Sequence, residues 1–142
     1  MADADVRPEI QDVTGACHCG GVGFTARVDM ASARRCNCSI CRMRGAVAVS
    51  ARLADFTLTR GEELLTLYTF NTGAAKHYFC AKCGIYTHHQ RRSDPTHFGV
   101  NVACIDGVSP FDFAEVIVNE GVYHPNDGGG GVAGVLGYTP AK

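Results

Sequence analysis

Seven of the eight cysteines in this 142-residue chain lie in three short motifs. They are Cys17-x-Cys19, Cys36-x-Cys38-x-x-Cys41 and Cys80-x-x-Cys83. A structural zinc ion takes four protein ligands, whereas a reactive zinc ion takes three and keeps one position for water or substrate. Seven cysteines divide naturally into four and three. The sequence therefore predicts one site that stabilises the fold and a second site that accepts a further ligand.

The first and last motifs have the character of a zinc knuckle. Gly20 follows Cys19 and Gly84 follows Cys83, and a glycine there relieves backbone crowding near sulfurs that converge from a tight turn. We expect the two motifs to form one closed site that joins the first strand to the middle of the chain. The competing interpretation of Cys-x-x-Cys, a thioredoxin-like redox pair, needs a βαβ context that the sequence does not show.

The middle motif places three sulfurs within six residues. Three thiolates leave a tetrahedral zinc ion with one vacancy, and we expect that position to be open. In a second interpretation His18, His77 or Cys104 fills the position and closes the site. In a third interpretation the three cysteines carry out redox chemistry without a metal.

The ligand type limits the chemistry of an open site. Three thiolates give the zinc centre a net negative charge, whereas three neutral histidines leave it dipositive and suited to making hydroxide from water. A sulfur-ligated zinc ion is better suited to binding a soft fourth ligand such as a substrate thiolate. We therefore expect chemistry at the carbon–sulfur bond of a thiol substrate rather than hydrolysis.

Size and charge narrow the function classes. A chain of 142 residues suits one domain, and 13 Lys and Arg against 14 Asp and Glu give no basic excess for a nucleic acid. The N-terminus has no basic region followed by an apolar run, and no stretch approaches the ~18 apolar residues of a membrane span. We therefore expect no nucleic-acid or membrane partner. We also expect a cytoplasmic location, since in such a reducing compartment clustered cysteines bind metals more often than they form disulfides.

Alternating apolar and polar residues predict a mainly β fold. In the first such segment, Val22, Phe24, Ala26 and Val28 share one face. Turn residues rich in Gly, Asn and Asp separate this segment from those that follow. We predict strands at residues 22–28, 46–51, 56–59, 65–70, 77–79, 85–88, 98–102 and 115–118.

Two segments near the middle cysteines, residues 30–35 and 39–44, are expected to supply one or two helical turns each. Residues 1–13 are expected to be a flexible N-terminal segment, and residues 14–125 are expected to form the metal-binding domain. Four consecutive glycines then make the chain flexible by composition. We treat residues 126–142 as a Gly-rich tail that either packs back on the domain or is disordered.

The order and spacing of the seven cysteines resemble the glutathione-dependent formaldehyde-activating enzyme family, which shares its domain with centromere protein V. The resemblance covers about Gly15 to His124 and includes the glycines that follow the first and last motifs. It implies a β-tent fold, two antiparallel sheets around a structural zinc ion. This fold agrees with the predicted strands and with short helical turns in the metal-bearing loops.

The same resemblance assigns two zinc ions and their ligands. The implied ligands of the structural zinc are Cys17, Cys19, Cys80 and Cys83. The implied ligands of the catalytic zinc, which keeps an open position, are Cys36, Cys38 and Cys41. The implied activity is that of an S-(hydroxymethyl)glutathione synthase, a carbon–sulfur lyase that combines a small thiol, glutathione, with a small aldehyde, formaldehyde.

Several other residues are candidates by type alone. An acid must protonate the alkoxide that such a reaction develops, and His77 and His97 are of the right type, although an exposed or hydrogen-bonded strand histidine is the competing interpretation. Residues 88–92 are expected to form an exposed polar strand end, and the alternative is that they border the pocket. Cys104 stands alone in an apolar run and is expected to be a buried small hydrophobe.

Four arginines flank the middle motif on both sides: Arg34, Arg35, Arg42 and Arg44. In a functional interpretation they hold the two carboxylates of glutathione through bidentate pairs. In a structural interpretation they are solvated surface charges that also offset the thiolate-rich zinc.

Two other function classes are open from the sequence. A non-catalytic binding module would keep both metals as structure and use its surface for a partner, as the domain shared with centromere protein V permits. A thiol- or metal-responsive protein would exchange zinc or oxidise at the three-cysteine motif. The number of protein ligands at that motif separates these classes from the enzyme.

Overall fold

Ten strands and one short α-helix make up residues 9–141, the part of the chain that the computed structural model describes. The strands are β1 Ile10–Ala16, β2 Gly23–Cys36, β3 Ala48–Arg52, β4 Phe56–Arg60, β5 Leu65–Tyr68, β6 Lys76–Cys80, β7 Tyr86–Gln90, β8 His97–Asn101, β9 Glu115–Asn119 and β10 Val132–Gly137. The α-helix is α1, Ser39–Arg44, and the 3₁₀ turns are Leu53–Asp55, Glu62–Leu64, Val102–Cys104, Pro110–Asp112 and Pro125–Asp127. No helix among the described residues combines enough length and apolar character to cross a bilayer.

All ten strands belong to one hydrogen-bonded network. The order is β10-β9-β2-β3-β8-β7-β6-β5, and β1 and β4 also pair with β2. The pairs are antiparallel, except that β2 and β9 run parallel. The expected mainly β class, with short helical turns in the metal-bearing loops, is confirmed. Where the resemblance implied two antiparallel sheets, the described strands form one network, in which the long strand β2 pairs with four others.

Different partners cover the two halves of β2. The first half pairs with β1 and β4, and the second half pairs with β3 and β9. The register with β3 shifts between Asp29 and Arg34, where one set of partners gives way to the other. The prediction of helical turns at residues 30–35 is therefore wrong, because strand pairing outweighs the weak local preference of this short segment. The predicted turns at residues 39–44 are confirmed as α1.

The core lies on the face of β2 that the alternation predicts. Val22, Phe24, Ala26 and Val28 are all buried, and Phe24 stacks on Phe56 of β4 with ring centres 5.0 Å apart. Burying a side chain of this kind contributes about 1.5–3 kcal/mol. This packed face fixes the direction of β2, whose last residue carries a cysteine of the middle motif.

All eight predicted strands are present, seven with small shifts in their ends and the first extended from residue 28 to Cys36. Two strands were not predicted. β1 begins inside the expected flexible segment, of which residues 1–8 lie outside the described part of the chain. β10 lies in the Gly-rich tail and pairs antiparallel with β9, with Glu115 opposite Gly137, so this part of the tail packs back on the domain. Both strands are largely exposed, and without one buried face they show little alternation in sequence.

Candidate functional site

The first and last cysteine motifs meet where β1 and β6 end. Cys17 follows β1 directly, and Cys80 is the last residue of β6. Their sulfurs and those of Cys19 and Cys83 lie within 4.8 Å of one another, with 3.6 Å from Cys17 to Cys19 and 3.8 Å from Cys19 to Cys80. None of the eight cysteines, all within the described residues, forms a disulfide. Four convergent thiols could hold a tetrahedral metal ion.

Backbone N–H groups favour the thiolate form at this four-cysteine cluster. Three sulfurs accept such bonds at 3.3–3.4 Å, from the N–H groups of Gly21, Val22 and Lys82. Backbone hydrogen bonds, led by the N–H of Cys19, lower the pKa of Cys83 to about 6. These bonds favour the thiolate of Cys83, the form that binds a metal. The Gly21 N–H also favours the thiolate of Cys19, but the neighbouring Cys17 sulfur opposes it, and the pKa of Cys19 is raised to about 11.

The middle motif gathers its sulfurs where β2 ends and α1 begins. Cys36 is the last residue of β2, Cys38 is the N-cap of α1, and Cys41 lies within the helix. The three Sγ atoms lie within 4.8 Å of one another. Side-chain hydrogen bonds with Cys36 and Cys41 lower the pKa of Cys38, whereas those with Cys36 and Cys38 raise the pKa of Cys41. A cation would allow all three thiols to ionise together, so the donor set fits a thiolate-bound metal.

No fourth His, Cys, Asp or Glu joins this three-cysteine cluster within residues 9–141. His18 is exposed in a turn. Cys104 is 6% exposed in the hydrophobic core and donates to the Tyr86 carbonyl at 3.5 Å, so its predicted role as a buried hydrophobe is confirmed. His77 turns its Nδ1 toward Arg44 rather than toward the sulfurs. The cluster thus presents three protein ligands.

A backbone loop packs directly against the three-cysteine cluster. Asn37 Oδ1 accepts hydrogen bonds from the N–H of Gly121 at 2.7 Å and from the N–H of Val122 at 3.2 Å. A Cβ atom at position 121 would overlap Cys36 Sγ. Only glycine lets the backbone approach the sulfur this closely. These contacts fix the loop after β9 to the metal-binding motif.

This loop begins a strap, residues 120–131, that forms one wall beside the cluster. The Glu120 N–H donates to the Gly131 carbonyl at 2.9 Å and closes the base of the strap. On its far side Asp127 accepts a hydrogen bond from Arg92 Nη2 at 2.9 Å. The strap therefore joins the metal-binding motif to the segment that follows β7.

A cleft of about 970 Å³ opens over the three cysteines. Its walls are α1, the end of β2, the strap, β7 and the loop before β6. Six arginines line it, namely the four predicted ones, Arg34, Arg35, Arg42 and Arg44, and two from the segment after β7, Arg91 and Arg92. The acidic residues among its lining are Glu120 and Asp127. The excess of guanidinium groups makes the cleft favourable for an anionic ligand.

Arg44 connects the cluster with the interior of the cleft. Its Nη2 lies 3.6 Å from Cys41 Sγ, and its Nη1 lies 3.2 Å from His77 Nδ1. Its guanidinium carbon lies 3.6 Å from the centre of the Tyr86 ring, a favourable cation–π position. The Tyr86 hydroxyl lies 2.6 Å from His89 Nδ1, and burial raises the pKa of this tyrosine. One cation therefore supports negative charge on sulfur and orients two ring side chains.

His77, a candidate from the sequence, lines the cleft but is not poised as an acid. It is 5% exposed, and its ring stacks with those of Phe70 and His89 at centroid distances of 5.7 and 5.3 Å. Burial, and then the charge of Arg44, lower the pKa of His77 to about 4. The ring is therefore neutral near pH 7. His77 Nε2 and Arg44 Nε are the two buried side-chain polar atoms without a hydrogen-bond partner in the described part of the chain.

The other histidine predictions have mixed outcomes. His97 does not line the cleft, and its Nδ1 lies 2.8 Å from an Asp94 carboxylate oxygen. The prediction that residues 88–92 form an exposed strand end is wrong. His88 is 3% exposed and packs in the core, whereas His89 on the opposite face of β7 lines the cleft, because successive strand residues point to opposite faces.

Three cleft features were not predicted from the sequence. They are the Asn37 contact with the strap, the Phe70 ring over His77, and the Tyr86 ring under Arg44. Asn37 stands between two cysteines of one motif, and this position in the sequence indicates a residue near the metal. Phe70 and Tyr86 reach the cluster through tertiary packing and had no comparable signal.

Comparisons with known proteins add a family to this geometry. A family model described as glutathione-dependent formaldehyde-activating enzyme matches residues 12–118, which include all three cysteine motifs. Among solved structures, the chain is similar to a crystal structure of a Rhodobacter sphaeroides protein from structural genomics work. The two are 57% identical with a TM-score of 0.71, and the match covers 72% of this chain and 96% of the other.

Proposed function

The chain belongs to the glutathione-dependent formaldehyde-activating enzyme family, and on this premise we propose that it is a zinc-dependent carbon–sulfur lyase. The substrates proposed are glutathione and formaldehyde, joined or separated as S-hydroxymethylglutathione, or a closely related thiol adduct. One observation carries the proposal. Three cysteines with no fourth protein ligand among the described residues lie in a cleft lined by six arginines.

The two cysteine clusters have different proposed roles. The four-cysteine cluster is proposed to hold a structural zinc ion, since its four sulfurs lie within 4.8 Å of one another and its position ties β1 to β6. The three-cysteine cluster is proposed to hold the second zinc ion. When bound there, zinc would supply a Lewis-acidic position that lowers the pKa of an incoming thiol. The free thiols of the chain also suit a reducing compartment, which supports the proposed cytoplasmic location.

The cleft arginines are proposed to bind the thiol by its carboxylates. Arg91 has no acidic partner within 4.0 Å in the described part of the chain, although it is half-buried and burial lowers its pKa. A partly desolvated guanidinium without a counter-ion favours a carboxylate ligand. The cleft volume of about 970 Å³ accommodates a ligand of peptide size.

The reaction needs little covalent chemistry from the chain. Thiols and aldehydes combine in water without a catalyst, so positioning the sulfur beside the carbonyl carbon supplies much of the acceleration. In the forward direction the sulfur–carbon bond forms and the carbonyl oxygen takes up a proton. In reverse the hydroxyl loses its proton and the carbon–sulfur bond breaks.

The experiment that tests this proposal is NMR exchange between glutathione and its hydroxymethyl adduct, using ¹³C-labelled formaldehyde. The zinc-loaded chain should raise the exchange rate above the spontaneous rate in proportion to its concentration. Zinc should be present at two per chain, and Cys38→Ser should reduce both the acceleration and the metal content. An exchange rate equal to the spontaneous rate, with both metals bound, contradicts the enzyme and leaves the zinc-stabilised binding module. Zinc release or sulfur oxidation without catalysis would instead support the thiol- or metal-responsive class.

A further inference from the structure

Two neighbouring polar atoms beside the three-cysteine cluster have no hydrogen-bond partner among residues 9–141. They are His77 Nε2 and Arg44 Nε, each with almost no accessible surface. Buried polar atoms in folded proteins are nearly always hydrogen-bonded. The two residues touch each other and line the same cleft, so a small ligand atom that reaches Nε2 after a local side-chain movement would complete the site.

The contact with Arg44 determines which nitrogen of His77 carries the proton. A guanidinium group has only N–H donors and no acceptor. Since Arg44 Nη1 lies 3.2 Å from His77 Nδ1, Nδ1 must accept this hydrogen bond. The proton of the neutral ring therefore resides on Nε2, which makes the unpartnered atom a donor.

The donor is held in a fixed position relative to the sulfurs. The His77 ring stacks with Phe70 at a centroid distance of 5.7 Å and with His89 at 5.3 Å. The same Arg44 that contacts Nδ1 also lies 3.6 Å from Cys41 Sγ. The imidazole is thus connected to the metal-binding motif through one side chain.

We propose that His77 Nε2–H donates a hydrogen bond to the oxygen of the small carbonyl substrate. Arg44 is the positioning residue that keeps His77 in the Nε2–H tautomer. This inference rests on the proposed function, because it assigns the oxygen end of the aldehyde within the same cleft. By residue type alone, His77 is a candidate acid that gives up its proton. In this inference the imidazole keeps its proton throughout and acts only as a hydrogen-bond donor.

The step balances without further reactants. The thiol releases its proton to solvent on binding as the thiolate. The sulfur lone pair then forms the sulfur–carbon bond, and the carbonyl π electrons move to oxygen. The resulting alkoxide is stabilised by the hydrogen bond from His77 and takes a proton from water. A preorganised donor aimed at developing negative charge is a large source of rate enhancement.

Variants at position 77 test the donor by rate. His77→Leu removes it, whereas His77→Gln keeps an N–H in a similar position. We expect His77→Leu to reduce the catalysed exchange rate by roughly 10²-fold without changing the glutathione concentration that gives half-maximal rate, and His77→Gln to recover most of the loss. His97→Gln, which lies outside the cleft, is the matched control and should keep the wild-type rate. Wild-type rates in His77→Leu overturn the inference.

The tautomer of His77 provides a second readout that does not need activity. In ¹⁵N NMR of the zinc-loaded chain, His77 should show a protonated Nε2 and an unprotonated Nδ1. Arg44→Met should shift it toward the other tautomer. Adding formamide, an unreactive carbonyl probe, to the glutathione-loaded protein should move the Nε2–H resonance. A protonated Nδ1 in the wild type, or no response to formamide, overturns the inference. A response to formamide without catalysed exchange keeps the donor site and contradicts the proposed function instead.

Discussion

The α-carbon of Gly121 lies so close to Cys36 Sγ that a methyl group in place of its hydrogen would overlap the sulfur. The same Cβ would come within 2.9 Å of Cys38 Cβ. Asn37 holds this glycine in place through the 2.7 Å bond to its N–H. One residue of the strap therefore limits the space around two cysteines of the middle motif.

Gly121→Ala should damage the three-cysteine cluster selectively. The added methyl group must displace either the strap or Cys36, so we expect one of two bound zinc ions to be lost and the exchange activity to fall at least tenfold. Gly134→Ala is the matched control, because a Cβ at that position on β10 meets no atom within 4 Å. Metal analysis and thermal unfolding check the result. Equal zinc content in both variants would show that the strap yields to the extra methyl group.

Removing a ligand should have different consequences at the two clusters. Cys80→Ser removes a fully buried sulfur of the four-cysteine cluster, the proposed structural zinc site, and structural zinc contributes about 10–16 kcal/mol of apparent binding energy to small domains. We expect this variant to unfold at room temperature. Cys38→Ser should remain folded by circular dichroism while losing thiol binding. Unfolding of both variants to the same extent would contradict the division of roles.

Arg91→Gln should weaken the binding of carboxylate-bearing thiols. Hydrogen bonds to charged groups contribute about 1.5–3 kcal/mol, so the KM for glutathione should rise about tenfold or more. The KM for 2-mercaptoethanol, which has no carboxylate, should stay the same. Arg52→Gln is the control, because Arg52 pairs with Asp55 on the surface and does not line the cleft. An equal rise in KM for both thiols would assign Arg91 a structural role.

His88 should make the fold sensitive to acid. Burial lowers its pKa to about 4 from an ordinary value of 6.5, so the unfolded chain takes up a proton first as the pH falls. Stability contributed by the neutral ring is complete above pH 6.5 and is lost progressively toward pH 4, by roughly 2 kcal/mol at pH 5. His88→Phe keeps an aromatic ring against Phe56 and Tyr78 and removes the titration. Urea unfolding of both chains at pH 7.5 and 5 should show a smaller pH effect in the variant, whereas equal effects would contradict it.

The sequence was most informative where ligands lie close together along the chain. The three cysteine motifs and the buried alternation of β2 depend on spacing, and both are visible as patterns. The local sequence of residues 30–35 predicts helical turns, because the strands that pair with this segment, β3 and β9, are distant in sequence. The contact between Asn37 and the strap joins residues 84 positions apart, and the role of Arg44 depends on His77 and Tyr86 packing around it. Long-range packing of this kind determines which side chains line the cleft, and it leaves no local pattern in the sequence.

The two clusters also differ in the order in which the growing chain can assemble them. The three cysteines of the middle motif lie within six residues, so they can capture a metal ion before any sheet has formed. The four-cysteine cluster must bring together Cys19 and Cys80, which are 61 positions apart, and loop closure of that length carries an entropic cost. During synthesis the middle motif leaves the ribosome well before Cys80. The three-cysteine cluster is therefore complete first and available to a metal ion early, whereas the four-cysteine cluster is complete only when β6 has joined the sheet.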